Sequence, residues 1–276
     1  MSRVTIKIIR IAAACAVAGI MFVATSCDRS GLALIIAGST SVQPFAELLA
    51  EEYAHVNPET EIDVQGGGSS AGITAVQSGT ADIGMSSRML KGNELDLWSV
   101  EIAKDGLAII VHPDNPVNDL SIGLLQKIYT GEITDWSDAG GSDAKIHIIA
   151  REEGSGTRSA FEDLVMGAGF ITPKAIIQDS NGAVRQLVSG DKKSIGFISL
   201  GLVDDTVKAV RLGGVSPTWD NISNGSYSLY RPFLFITAEE PADLARSFID
   251  FALSPEGQRM LVEEGLIPPA PGGMYG

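Results

Sequence analysis

The chain has 276 residues, of which 45% are hydrophobic and 20% charged, so it is long enough to bury one large core or two ordinary ones. Its formal net charge is −14, which excludes a broad electrostatic surface for nucleic acid and any attraction to an anionic membrane surface. Any anion that this protein binds must therefore be held by local contacts.

The N-terminal segment has the features of a secretory signal. Basic residues within the first ten positions precede an apolar run from Ile11 to Ala24, which is too short to span a membrane comfortably. The run ends in "VATSC", which resembles the lipobox of bacterial lipoproteins. That resemblance implies a lipoprotein signal peptide over residues 1–26, with Cys27 as the lipidated first residue of the mature chain. The alternative is ordinary signal cleavage that leaves Cys27 free.

Two units of strand, loop and helix follow the signal segment. In "LALIIAGSTSVQPFAELLAEEY", a short apolar strand leads through a Gly-Ser-Thr-Ser turn into a helix with apolar residues at helical spacing. In the second unit a strand at Ile62–Val64 leads through the turn "GGGSS" into a helix from about Ala71 to Ser78. Another short strand is predicted at Ala81–Met85. This alternation of strands and helices favours open α/β sheets.

A third unit begins with a strand at Lys145–Ala150 and continues through "REEGSGTRSAFEDL". The first amides of a helix lack intrahelical partners and carry a partial positive charge, so an anion fits there, and glycine lets the backbone approach it closely. Arg151 adds a planar fork of donors that matches a tetrahedral oxyanion. Any one turn alone can be ordinary helix capping, but three such turns and one arginine together favour an anion-binding site.

A serine hydrolase is the competing hypothesis, because "GSSAG" matches a nucleophile elbow centred on Ser70. In that fold the histidine comes late in the chain, whereas the last histidine here is His147. No two histidines have the spacing of metal ligands, so we predict neither a metal nor a cofactor. Ser70 and Ser86 are expected to cap helices or fill turns, and Trp136 to pack in a core.

Six segments follow one another along the chain: "AGSTSVQPFAELLAEEY", "VQGGGSSAGI", "GTADIGMSSR", "LSIGLLQKIYTGEITDW", "AREEGSGTRSAFE" and "IGFISLG". Their sequence and order are similar to those in the periplasmic phosphate-binding proteins of bacterial ABC importers, the PstS family. The resemblance spans roughly residues 33 to 265. It implies a periplasmic binding protein-like α/β fold, in which two lobes close on one anion and two strands cross between them.

The crossing strands are expected at "DGLAIIVHP" and "LYRPFLFIT". Lobe one is then predicted over residues 31–111 and 229–276, and lobe two over residues 112–228. Open sheets bind ligands beyond the carboxyl ends of their strands, where all three turns fall.

The resemblance also implies a set of phosphate-binding residues, with Glu153 orienting the arginine. These residues are Thr40, Ser41, Ser69, Ser87, Arg151, Ser155, Gly156 and Thr157. Some relatives carry an aspartate where this chain has Ser87, and a carboxylate there would accept the proton of phosphate and help to reject sulfate. Glu152 and Glu153 are alternative acceptors, and the sequence leaves open whether Arg88 or Arg158 touches the ligand.

The function implied by the resemblance is high-affinity binding of inorganic phosphate outside the cytoplasmic membrane, without catalysis, and delivery to the permease subunits of an ABC importer. The chain is expected to act as a monomer, lipid-anchored in the periplasm or outside the cell, and not to bind nucleic acid. The alternatives are a binding protein for another tetrahedral oxyanion, such as sulfate or molybdate, and the hydrolase based on "GSSAG".

Overall fold

The structure, a computed structural model, describes residues 32–269 and 274–275. The signal peptide predicted over residues 1–26 and the anchor Cys27 lie outside the described residues. The strands, numbered β1 to β12 in chain order, are Leu32–Gly38, Thr60–Gly66, Ile83–Ser86, Trp98–Val111, Asp119–Leu120, His147–Arg151, Ile176–Gln178, Ser194–Ser199, Lys208–Ala209, Arg211–Leu212, Tyr230–Thr237 and Met274–Tyr275. The helices, numbered α1 to α8, are Gln43–Val56, Ser69–Gln77, Ile122–Thr130, Gly156–Phe161, Asn181–Gly190, Trp219–Ser223, Asp243–Leu253 and Pro255–Glu263.

One mixed sheet runs through the molecule in the order β2, β1, β3, β11, β4, β8, β6, β7, with β9 and β12 also pairing with β4. Strand β4 connects the two halves of this sheet. Its residues 98–106 pair with β11, and its residues 107–111 pair with β8. The strands β4 and β11 overlap the two crossing segments predicted over residues 105–113 and 229–237, and the α/β fold class is confirmed.

The two largest apolar cores of the described residues lie on either side of this crossing. One contains residues of β1, β3, α1, α7 and α8, among them Ile36, Leu49 and Phe248. The other contains residues of α3, β6 and β8 and includes Trp136. We call the parts built on these cores lobe one and lobe two. Trp136 is only 2% exposed and its Nε1 donates to the Lys193 carbonyl (2.8 Å), so it packs as predicted.

A buried ion pair joins the strands at the crossing. The guanidinium of Arg231 on β11 donates through Nε and Nη2 to Asp105 Oδ2 on β4 (3.0 and 2.9 Å). Ser199, at the end of β8, donates to the other carboxylate oxygen (2.7 Å). Burial raises the pKa of the Asp105 carboxyl and lowers the pKa of Arg231, since both charges are removed from water. Three strands are thus linked where the lobes meet.

Candidate ligand-binding site

Five loops converge between the lobes, each following the carboxyl end of a strand. In lobe one, the loops after β1 and β3 contain Ser39–Ser41 and Ser87, and the loop after β2 leads into α2, which begins at Ser69. In lobe two, the loop after β6 contains Ser155 and leads into Gly156 and Thr157 of α4, and the loop after β7 leads into α5, which begins at Asn181. Because β1 runs parallel to β3, and β6 parallel to β7, the loops within each lobe emerge at the same sheet edge.

Arg151, the last residue of β6, is buried at the centre of these loops with 1% of its surface exposed. Its Nε and Nη2 donate to the two carboxylate oxygens of Glu152 (2.8 and 2.9 Å), a bidentate pair that fixes the plane of the guanidinium. The prediction that Glu153 orients the arginine is therefore wrong. The chain turns after β6 with Ser155 N donating to the Glu152 carbonyl, which leaves Glu153 exposed and brings Glu152 back onto the arginine.

The same guanidinium reaches groups of both lobes. Its Nη2 donates to Thr40 Oγ1 of lobe one (3.0 Å). Within lobe two, Nη1 donates to Thr157 Oγ1 (3.4 Å) and to Asn181 Oδ1 (3.3 Å). Arg151 is therefore a cationic centre shared by both sides of the cleft.

Small hydroxyl groups surround the arginine and also meet across the cleft. Ser41 Oγ lies 2.7 Å from Thr157 Oγ1, and it accepts a hydrogen bond from Asn181 Nδ2 (2.7 Å). All three side chains are buried. Each hydroxyl can donate or accept, so this group can turn its donors toward an anion without moving its oxygens.

A second hydroxyl group lies within lobe one. Ser39 Oγ donates to Ser87 Oγ (2.9 Å), which is 3.4 Å from Ser69 Oγ. The Ser69 oxygen also accepts from the Ser87 amide (3.0 Å), so its own proton is not used in that bond. These three fully buried serines form one cluster, to which no carboxylate is bonded among the contacts of the described residues.

Gly156 brings lobe two against that serine cluster. A Cβ added at this position would lie 2.3 Å from Ser69 Oγ and 2.4 Å from Ser87 Oγ, closer than non-bonded atoms can approach. The lobes also touch through the backbone, because Ser70 N donates to the Gly154 carbonyl (3.2 Å). Glycine at position 156 is thus required for the closed arrangement.

The arginines whose contact with ligand the sequence left open have protein partners in the structure. Arg158 donates to Glu162 (2.8 Å) and to the backbone carbonyl of Arg151 (3.0 Å). Arg88 makes a two-pronged ion pair with Glu94 (2.7 and 2.8 Å), and its hydrogen bond lowers the pKa of the Glu94 carboxyl. Both arginines therefore brace the loops around the cleft.

The described contacts of Ser70 do not resemble those of a nucleophile. Its Oγ accepts a hydrogen bond from Arg88 Nη2 (3.3 Å), and a guanidinium cannot act as a base. The three histidines have other partners in the structure. His55 lies near Glu52, His112 accepts from the Asp114 amide, and His147 pairs with Asp191.

Seven of the eight predicted site residues are brought together by these hydrogen bonds and close approaches. The eighth, Ser155, is buried beside them, and its hydroxyl caps α4 by accepting from Arg158 N (3.3 Å). The sequence patterns did not predict Ser39 or Asn181 as site residues. Asn181 follows β7 in the segment "QDSNGAV", whose polar turn before a helix is the same signal as in the other units.

The described part of the chain contains no cluster of His, Cys, Asp or Glu side chains that could hold a metal ion. Within residues 32–269 and 274–275, none of the helices has the length and apolar character needed to cross a membrane.

Comparison with known proteins places this arrangement in a family. A profile described as the PBP superfamily domain matches residues 24–256. The phosphate-binding protein PstS of Bacillus subtilis is 34% identical over 247 residues, covering 87% of this chain and 82% of the relative. PstS of Borreliella burgdorferi is 31% identical over 246 residues, covering 84% of this chain and 88% of the relative.

Solved structures show the same similarity. A Clostridium perfringens structure, named for a phosphate ABC transporter substrate-binding protein with bound phosphate, is 45% identical, with a TM-score of 0.83 over 86% of this chain and 100% of that one. An ABC-type phosphate transport receptor from Vibrio cholerae is 42% identical, with a TM-score of 0.73 and the same two coverages. With its two lobes, its converging loops and these relatives, the chain belongs to the PBP superfamily and, within it, to the PstS family.

Proposed function

We propose that this protein binds inorganic phosphate between its lobes and delivers it to an ABC importer. The observation that carries the proposal is Arg151, a guanidinium with 1% exposure that contacts hydroxyl groups of both lobes. A buried cation surrounded by small donors suits a compact oxyanion better than an apolar or cationic ligand. Relatives over most of the chain are named phosphate-binding proteins, which supports phosphate as the anion.

The acidic character of the chain is compatible with an anionic ligand. The net charge of −14 acts through screened distances of about 8 Å at physiological salt, whereas hydrogen bonds to a charged group are worth roughly 1.5 to 3 kcal/mol each at contact. The gain is less than the sum of these bonds, because lobe closure and desolvation of both partners oppose binding. Contact geometry therefore decides which ligand is bound.

The site binds its ligand without chemical turnover in this proposal. A hydrolase would need a base beside the Ser70 hydroxyl, and that hydroxyl instead accepts a hydrogen bond from Arg88. A saturable change in tryptophan fluorescence with orthophosphate, without turnover of chromogenic phosphate or acyl esters, is the expected result. Turnover of such an ester that is lost in Ser70→Ala would support the enzyme instead.

In this proposal the phosphate-binding residues are the eight predicted from the sequence together with Ser39 and Asn181. The eight are Thr40, Ser41, Ser69, Ser87, Arg151, Ser155, Gly156 and Thr157. Sulfate and molybdate are the competing anions, since Ser87 and its serine neighbours accept a proton less selectively than a carboxylate would. Both oxygens of Glu152 already accept from Arg151, which leaves that carboxylate less available as an acceptor. Phosphate stays our proposal because of the named relatives.

Residues 31–111 and 229–276 stay our proposed bounds of lobe one, and residues 112–228 those of lobe two. The separate apolar cores support this division, although Leu107 and Ile109 on β4 already pack with the lobe-two core, which favours a crossing near Asp105. The protein acts as a monomer outside the cytoplasmic membrane, and its partners are the permease subunits of the importer.

Ser69→Ala is expected to weaken phosphate binding more than Ser70→Ala does. The Ser69 hydroxyl is buried in the serine cluster against Gly156, and loss of one such donor to a charged ligand corresponds to roughly a 10-fold to 150-fold rise in Kd. The Ser70 hydroxyl is bonded to Arg88, so its loss should change Kd less than about twofold. Calorimetric titration of the two variants measures both effects. An equal or larger loss at Ser70 would show that the wrong hydroxyl has been assigned.

Cys27→Ser is expected to release the mature protein from membranes. The only other cysteine, Cys15, lies within the predicted signal peptide, so an unlipidated Cys27 would have no disulfide partner in the mature chain. Membrane fractionation of cells expressing each form measures the effect. Unchanged membrane retention of the variant would contradict lipid anchoring at this residue.

A further inference from the structure

The loop between β3 and β4 is held in one conformation at the edge of the cleft. Arg88 is buried, and its ion pair with Glu94 closes the loop on itself. Glu94 also accepts from the Lys91 amide (2.9 Å). Between them, Leu90 is buried against residues of α2 and β11 in lobe one. The loop is therefore a fixed part of lobe one, and the position of Lys91 is set by it.

Lys91 reaches from this loop to the other lobe. Its Nζ lies 2.8 Å from Asp163 Oδ2, in the π-helical turn that follows α4. Val165 and Met166 of that turn are buried in the lobe-two core, so the backbone that carries Asp163 is anchored to lobe two. Both charged side chains are about half exposed, at 54% and 57%. Among the ion pairs of the described residues, this one joins the β3–β4 loop of lobe one to the π-helical turn of lobe two.

We propose that Lys91 and Asp163 form a latch that slows release of the bound anion by holding the lobes together. The inference rests on the proposed function, since it concerns the lifetime of the phosphate complex. Neither residue has a described contact with Arg151 or with the hydroxyl groups around it. The latch therefore affects closure of the two lobes and does not affect which anion is bound.

The expected size of the effect follows from the exposure of the pair. Ion pairs between exposed side chains contribute little, and the corresponding change in the phosphate dissociation rate is about 1.5-fold to 5-fold at an ionic strength of about 20 mM. Added salt screens such a pair. The dissociation rate of the wild-type protein should therefore rise toward that of a variant without the latch.

The sign of the charge change separates a latch from a general field effect. Lys91→Gln makes the protein more negative and Asp163→Asn makes it less negative, so a field effect would shift phosphate release in opposite directions. Loss of a latch accelerates release in both variants. The matched controls are Lys127→Gln and Glu132→Gln, which break a pair of similar exposure (3.1 Å, 53% and 63%) formed by two residues of lobe two.

The experiment measures dissociation of phosphate by stopped-flow fluorescence for each variant at low and high salt. We expect both latch variants to release phosphate faster, the double variant Lys91→Gln/Asp163→Asn to resemble each single one, and the exchange Lys91→Asp with Asp163→Lys to restore the wild-type rate. The controls should stay at the wild-type rate. Opposite shifts in the two single variants, additive effects in the double variant, or shifts no larger than in the controls would overturn the proposal.

A second measurement, of the distance between the lobes, tests the latch independently of phosphate binding. Fluorescent donor and acceptor labels at Val56→Cys in lobe one and Phe170→Cys in lobe two, both exposed positions, report the interlobe distance without any ligand. With the latch intact the labels should be closer on average than in the Lys91→Gln background. Equal distances in the two backgrounds would contradict the latch, whereas absence of phosphate binding in the wild-type protein would contradict the proposed function alone.

Discussion

Arg151→Ala is expected to weaken phosphate binding by roughly 30-fold to several thousand-fold, since removing one partner of a buried charge-assisted contact costs about 2 to 5 kcal/mol. The side chain is 1% exposed and links Thr40 of lobe one to Thr157 of lobe two, so its loss removes both the cation and a bridge across the cleft. Glu152 would also lose its partner, which adds an unpaired negative charge near the anion. Calorimetric titration with orthophosphate measures the change.

Arg151→Lys should recover only part of this loss, because an ammonium group cannot reproduce the planar fork that pairs with Glu152 and with an oxyanion. Arg211→Ala serves as the charge control, since Arg211 is about half exposed and its ion-pair partner is Asp119, which is not a site residue. Arg158→Ala should have a smaller effect than Arg151→Ala, because Arg158 acts through the Arg151 carbonyl. Near-native affinity in Arg151→Ala, with the fold intact by circular dichroism, would remove the arginine from the binding site.

Gly156→Ala is expected to raise the Kd for phosphate by roughly 5-fold to 150-fold, since overpacking of a closely packed site costs about 1 to 3 kcal/mol. The added methyl group would overlap Ser69 Oγ and Ser87 Oγ, and the strain can be relieved by separating the lobes. Thermal stability should change little, because an open protein has no overlap.

Gly123→Ala is the matched control for this substitution. Gly123 lies in the first turn of α3, as Gly156 lies in the first turn of α4, but an added Cβ would meet nothing within 4 Å. Its affinity for phosphate should equal that of the wild-type protein. A Gly156→Ala protein that binds phosphate as tightly as this control would show that the serine cluster does not close on lobe two.

Local chemistry explains why much of the site could be predicted from the sequence. Glycine, serine and threonine between a strand and a helix mark a turn that directs amides and hydroxyls to one point, so three such turns predict an anion site. The resemblance to the PstS family then implies the individual residues of that site, such as Thr40, Ser69 and Gly156. The observed helix bounds differ from the predicted ones by one or two residues. Helix α2, for example, spans Ser69–Gln77, whereas the sequence predicts it from about Ala71 to Ser78. Asn181 was missed because its strand, β7, is three residues long and partly exposed, so its apolar pattern is weak.

Two kinds of feature were beyond the sequence: the path of a turn and contacts between distant segments. The resemblance implies Glu153 as the carboxylate that orients Arg151, whereas the turn after β6 places Glu152 there. The crossing strand β4 begins at Trp98, earlier than the segment predicted from Asp105 onward. Asp105 interrupts the apolar pattern, and its buried partner Arg231 lies 126 residues away in the chain.

Calorimetric titration of the mature protein with orthophosphate, repeated in the presence of excess sulfate or molybdate, tests the central claim most directly. We predict saturable binding of one phosphate per chain that neither competitor displaces at concentrations well above that of phosphate. Absence of heat on adding phosphate, or tighter binding of sulfate or molybdate than of phosphate, would contradict the account of this cleft as a phosphate-binding site.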